Sequence, residues 1–275
     1  MAYVKTRYFL IFALFCITMS ARAQLLLGPV AGGQYSWTSF SDKYYKDLYN
    51  VEGVWGFHAG GQVSFRVHKQ FFLHTSLLYS KKGKVLKGDA DFSRLGAQYR
   101  LTKLTATYNY LELPIIYTVE FRKQTKGGKV YKWYLGAGPN VSYWLNGKGT
   151  ILNQETAEPS DGGTLNYKVV FGKNPDYVGP GEMVVEDPNR FQLGLNIMAG
   201  LVFEPMPKQQ FMLSIRYEIG HSNLSPESEG TFLSTMYKDN MQIRNQGARV
   251  SLAYLIDTNI KDRKKGKSTI KKRMR

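Results

Sequence analysis

From Phe191 to Phe203 the chain alternates. Phe191, Leu193, Leu195, Ile197, Ala199, Leu201 and Phe203 would share one face of an extended strand. Gln192, Gly194, Asn196, Gly200 and Glu204 would take the other face, with Met198 and Val202 among them. The next segment repeats the pattern, setting Phe211, Leu213, Ile215, Tyr217 and Ile219 against Ser214, Arg216, Glu218 and Gly220. A period of two predicts strands with one apolar face. Eight such segments are expected, over 28–39, 53–67, 70–81, 105–121, 130–144, 190–204, 210–221 and 242–257.

Periodicity alone does not name the solvent; the links do. Those at 68–69, 122–129 and 205–209 are short, and those at 40–52, 82–104, 145–189 and 222–241 are long. Short turns on one side and long loops on the other is the asymmetry of an outer-membrane barrel. The segments also exceed the roughly 9–11 residues a tilted strand needs to cross a bilayer. The expected fold is therefore all-β: an eight-stranded antiparallel transmembrane β-barrel, with N and C termini periplasmic and long extracellular loops. The third loop, 145–189, is long enough to add a small hairpin or to cap the mouth.

The register fixes what faces inward. Arg66, Glu112, Glu120, Lys132, Arg216, Glu218 and Arg249 fall opposite the apolar faces. Turning an arginine toward lipid at midplane costs about 2–4 kcal/mol, so these seven are the candidate polar network of the lumen. Tyr35, Trp37, Tyr79, Tyr108, Tyr110, Trp133, Tyr143 and Trp144 sit near strand ends, where amphipathic rings suit the headgroup zone. Pro114 cannot donate a ladder hydrogen bond, and a local bulge is expected there.

The N-terminus reads as a secretory leader over 1–23: Lys5 and Arg7, an apolar run too short to span, then Ala21-Arg22-Ala23. The only cysteine, Cys16, lies inside it, so a mature chain has no disulfide and no thiolate nucleophile. The barrel domain is assigned to 24–257 and a basic periplasmic tail to 258–275. The last fifteen residues hold nine Lys or Arg against one Asp, within a formal net charge of +16. Such a tail suits acidic headgroups, peptidoglycan or an acidic partner. Nucleic acid is excluded as a partner by the leader. Outer-membrane lipid and envelope proteins, met through the loops or the tail, are the expected partners.

Candidate chemistry is sparse. His221-Ser222 resembles the strand-end pair of outer-membrane lipid A deacylases, where a His and a Ser two positions apart share one face. Here the two are adjacent, and regular β geometry sends them to opposite faces. His58, His68 and His74 show no metal spacing, and Gly136-Ala137-Gly138 lacks the helix a phosphate loop requires. No catalytic residue, metal or cofactor is expected.

Four motifs bring a family into view: Tyr108-Asn109-Tyr110-Leu111-Glu112-Leu113-Pro114, Gly136-Ala137-Gly138-Pro139, the Gly194 to Gly200 strand, and Ser214-Ile215-Arg216-Tyr217. Over about 28–257 the chain resembles the outer-membrane β-barrel proteins of Bacteroidetes related to PorT, a factor in protein secretion and gliding. The basic extension and the long third loop depart from the simplest members. The resemblance implies a nonenzymatic scaffold or accessory factor in envelope assembly or type IX-like secretion. A narrow solute channel and an outer-membrane lipid hydrolase are the alternatives.

Overall fold

The computed structural model describes residues 25–43, 46, 49–88, 101–124, 130–153, 164–206, 208–226, 229–232 and 237–258. The leader at 1–23 and the tail beyond Thr258 lie outside them. Twelve strands form among the described residues. The first half holds β1 (Leu25–Phe40), β2 (Tyr49–His68), β3 (Phe71–Gly88), β4 (Leu101–Gln124), β5 (Val130–Asn153) and β6 (Thr164–Phe171). The second holds β7 (Glu182–Val185), β8 (Phe191–Met206), β9 (Gln209–Asn223), β10 (Glu229–Phe232), β11 (Tyr237–Asn240) and β12 (Ile243–Asp257).

Eight of them close a ring. Antiparallel pairing runs β1-β2-β3-β4-β5-β8-β9-β12 and returns to β1, where Val30 meets Gly60 on one side and Ala253 on the other. A closed ring leaves no unpaired edge, which is the condition for a sheet to sit in hydrocarbon. The outward faces are the apolar ones. Ile215 is 63% exposed and Leu193 54%, and they belong to a continuous band that includes Leu113, Ile115, Leu195 and Leu252. Water disfavours an apolar patch of that extent; hydrocarbon accepts it. Aromatic pairs mark both margins of the band. Phe121 stacks on Trp133 at 4.2 Å and Phe211 packs on Tyr254 at 4.9 Å near the short turns. Tyr143–Phe191 and Tyr35–Trp55 lie toward the long-loop end.

Three of the rings expected at that margin point the other way. Tyr108, Tyr110 and Trp144 are fully buried in an apolar core. The cause is an inversion of the pattern. In the band, β4 sends Leu111, Leu113, Ile115 and Tyr117 outward and Glu112 and Thr118 inward. Above it, the same strand buries Leu104, Ala106 and Tyr108 while Lys103, Thr105 and Thr107 face out. Once the wall leaves the bilayer, water takes the outside and the apolar residues must turn in. Strands β3 and β5 therefore run on past 81 and 144, and β4 starts at Leu101 rather than 105, in what the sequence assigned to loops.

In β5 the inversion coincides with a bulge. Asn109 pairs with Asn146 but Tyr110 pairs with Trp144, so Leu145 is the extra residue. It shifts the inward parity from Trp144 to Gly147, Gly149 and Ile151. No bulge forms at Pro114, contrary to expectation. Leu113–Val141, Pro114–Asn140 and Tyr117–Ala137 keep one register, as do Thr75–Ile115 and Leu78–Glu112 on the other side. The missing N–H removes a rung without adding a residue, and the ring itself turns inward.

The four short strands continue the sheet from the long-loop end of β5. The order is β5-β6-β7-β10-β11, with β6–β7 parallel and the other pairs antiparallel. Gly172 and Gly181, at φ +67° and +71°, flank the β6–β7 link, a backbone region that side-chain-bearing residues rarely occupy. Together the extension forms a lid.

Candidate functional site

The lumen is stratified. Toward the short turns, Leu26, Val30, Leu78, Ile116, Tyr134, Met198, Val202, Met212, Ala253 and Leu255 form an apolar layer. At the long-loop end, the inward faces of β3, β4 and β5 share a second core with Met183, Val185, Phe232 and Met241 of the lid region. Between the two lies a charged layer.

Arg249 is its centre. Its Nη1 donates to Glu112 Oε2, and its Nη2 donates both to Glu112 Oε1, at 2.9 Å, and to Glu218 Oε2. Lys82 Nζ bridges the same carboxylates, 2.6 Å from Glu112 and 2.6 Å from Glu218. Asn140 Nδ2 adds a bond to Glu218 at 3.1 Å. These groups come from β3, β4, β5, β9 and β12, so the cluster ties much of the wall together across the bore. All four charged side chains are buried. Fully paired charges in a water-poor interior are mutually stabilising, whereas a lone one is costly.

The seven sequence candidates separate into two sets. Glu112, Arg216, Glu218 and Arg249 lie in the middle layer. Arg66, Glu120 and Lys132 sit toward the short-turn rim with local partners: Arg66 Nη2 donates to the Lys69 carbonyl at 2.9 Å, Glu120 pairs with Arg122 at 2.9 Å, and Lys132 pairs with Glu204. Lys82 was missed because the sequence ended its strand at 81. Two histidines outside the candidate set also face the lumen. His58 Nε2 lies 2.7 Å from Ser251 Oγ, and His74 bridges Ser64 Oγ at 2.6 Å and Thr118 Oγ1 at 2.9 Å. A cavity of about 20 Å³ borders Arg216, and one of about 10 Å³ lies nearer the short turns beside Glu120 and Gln210, each on the scale of a single water.

The lid is anchored at several points. Lys84 of β3 and Asp239 of β11 form a buried pair at 2.8 Å. Arg190 holds the bulge: Nε donates to the Trp144 carbonyl at 3.0 Å and Nη2 to the Leu145 carbonyl at 3.3 Å, with the guanidinium over the Tyr143 and Phe171 rings. Outside the wall, Thr105, Thr107, Lys148, Thr150, Asn166 and Lys168 line a groove of about 490 Å³. Lys148 and Lys168 stand directly opposite one another across β5 and β6.

His221 is exposed, and Ser222 Oγ accepts the Leu193 N–H at 2.9 Å. The two side chains share no hydrogen bond. Among the described residues, no group of three His, Cys, Asp or Glu side chains is placed to hold a metal ion.

Residues 20–225 match the family described as an outer membrane protein beta-barrel domain. No curated protein matches the sequence. Among solved structures, Neisserial surface protein A is similar at 11% identity and a TM-score of 0.39, with 86% of this chain and 99% of that one covered. The attachment invasion locus protein of Yersinia pestis is similar at 11% identity and 0.35, covering 85% and 99%. OprG from Pseudomonas aeruginosa, an outer membrane protein, is similar at 10% identity and 0.42, covering 87% and 96%.

Proposed function

Because the chain belongs to the outer membrane protein beta-barrel domain family, we propose that it is a nonenzymatic outer-membrane scaffold that holds a folded lid outside the cell for partner proteins. One observation carries this reading: the bore is filled by a paired charged layer between two apolar layers, while the long loops build a sheet with its own core. A molecule specialised for passage would keep its interior open. This one places its ordered material at the extracellular end. Ser222, occupied by the Leu193 amide, offers no activated nucleophile.

The groove beside the lid suits an acidic segment of an envelope protein, since Lys148 and Lys168 repel each other across the strands and a carboxylate between them relieves that repulsion. The motifs at 108–114 and 214–217 favour a finer placement beside the PorT-related barrels, and with it a part in envelope assembly or type IX-like secretion. The basic tail would offer a second contact on the periplasmic side.

A photo-crosslinker at Asn166, in intact cells, tests the reading. A discrete protein adduct that disappears in the Lys148→Glu, Lys168→Glu double variant supports it. Adducts to lipid alone, at Asn166 as at the lipid-facing control Leu195, overturn it.

A further inference from the structure

Strand register sets Arg216 of β9 directly opposite Arg249 of β12, with both side chains turned into the barrel. Arg249 leans toward the long-loop end and takes Glu112 and Glu218, which Lys82 also contacts. Both carboxylates of the layer are thereby engaged, and none of the ion pairs among the described residues includes Arg216. Its Nε is buried and has no hydrogen-bond partner. The layer thus counts three cations, Lys82, Arg216 and Arg249, against two anions. An arginine does not shed its proton inside a protein, so the surplus positive charge remains in a low-dielectric bore, where an uncompensated charge is strongly disfavoured.

A site for compensation lies beside it. Arg216 borders the cavity of about 20 Å³ together with Gln62, Ser76, Ser214 and Ser251. Gln62, Ser214 and Ser251 already bond to Ser64, the Ser251 carbonyl and His58, and His74, also in the lining, bonds to Ser64 and Thr118, which leaves the Arg216 guanidinium and the Ser76 hydroxyl as the donors free to face the space. No carboxylate lines the space; the remaining lining groups include the apolar Val30, Leu78 and Ile116. The volume is on the scale of one water or one small ion, too little for a carboxylate or phosphate ligand. We infer that the cavity beside Arg216 is a structural site for one small monatomic anion, of the chloride class, that completes the charge balance of the lumen.

Apolar clusters pack on either side of the charged layer. The anion enters as the barrel closes, so its effect is read in folding. The full chain, unfolded in urea, is refolded into detergent micelles in buffers whose only anion is chloride, bromide or gluconate. The expected result is a severalfold higher folded fraction in either halide than in gluconate, and loss of that preference in Arg216→Met, which removes the surplus charge. Crystals of the bromide-refolded wild type should show an anomalous peak in contact with the Arg216 guanidinium. This peak decides the matter even if Arg216→Met fails to fold. Equal refolding in all three anions, or a cavity that holds water and no bromide signal, overturns the inference.

Discussion

Lys84 and Asp239 meet at 2.8 Å across 155 residues of sequence, and the contact joins the last strand of the lid to the wall of the barrel. Both side chains are buried, so the pair acts as a latch whose halves cannot be separated cheaply. Lys84→Met removes the cation paired with the buried Asp239 carboxylate, a loss of about 3–5 kcal/mol for a pair of this kind. The lid should then open while the ring persists. Limited proteolysis should cut near β10 and β11 in the variant and spare them in the wild type, with Lys84→Met, Asp239→Leu restoring much of the protection.

Arg249 has the same role at larger scale. Arg249→Met would leave Lys82 as the one remaining ion-pair partner of Glu112 and Glu218 among the described residues, and the barrel should lose about 3–5 kcal/mol. Urea titration in micelles, followed by tryptophan fluorescence, measures this. A midpoint unchanged from wild type would mean that the charged layer contributes nothing to closure.

The bulge at Leu145 is braced by Arg190. Arg190→Ala removes two part-buried hydrogen bonds to the Trp144 and Leu145 carbonyls, at a cost of about 0.5–1.5 kcal/mol each. Amide hydrogen exchange should rise around 144–149 and in β6, with little change in β1 and β12.

Glu182 gives the lid a pH dependence. Lys173 Nζ donates to its carboxylate at 2.5 Å, and the Gly179 amide donates at 3.0 Å. These bonds hold the Glu182 carboxyl below its ordinary value of 4.5. A depressed value in the folded state means the contribution is complete above the unfolded value and is lost as pH falls through the folded one. Protection of the 172–182 amides, taken relative to intrinsic exchange at each pH, should therefore fall below about pH 4.5, and Glu182→Gln should remove that change in protection.

The barrel was legible because, within the bilayer, a strand has one rule: apolar out, polar in. Leu193 through Phe203 and Phe211 through Ile219 obey it, and their partners follow from link length. The rule reverses above the bilayer, and there the reading stopped. Leu104, Ala106 and Tyr108 continue the period of two with the opposite meaning, and Leu145 breaks the parity of β5 outright. Assigning 82–104 to a loop concealed Lys82 and Lys84, the cations of both central ion-pair sites. The pattern also does not choose between Arg216 and Arg249 as the partner of Glu112, since both face inward. Only register and rotamer separate them, and neither is written in a pattern of apolar and polar residues. The lid's parallel β6–β7 pair left no signal at all, because its link of ten residues is shorter than a typical crossover.

The central claim is a filled bore, and single-channel recording tests it most directly. The purified full chain, reconstituted in a planar lipid bilayer under symmetrical salt, should give a flat baseline at either polarity, in the wild type and in Lys84→Met alike, because the charged layer closes the lumen below the lid. Long-lived unitary current steps from the wild-type protein would contradict the account.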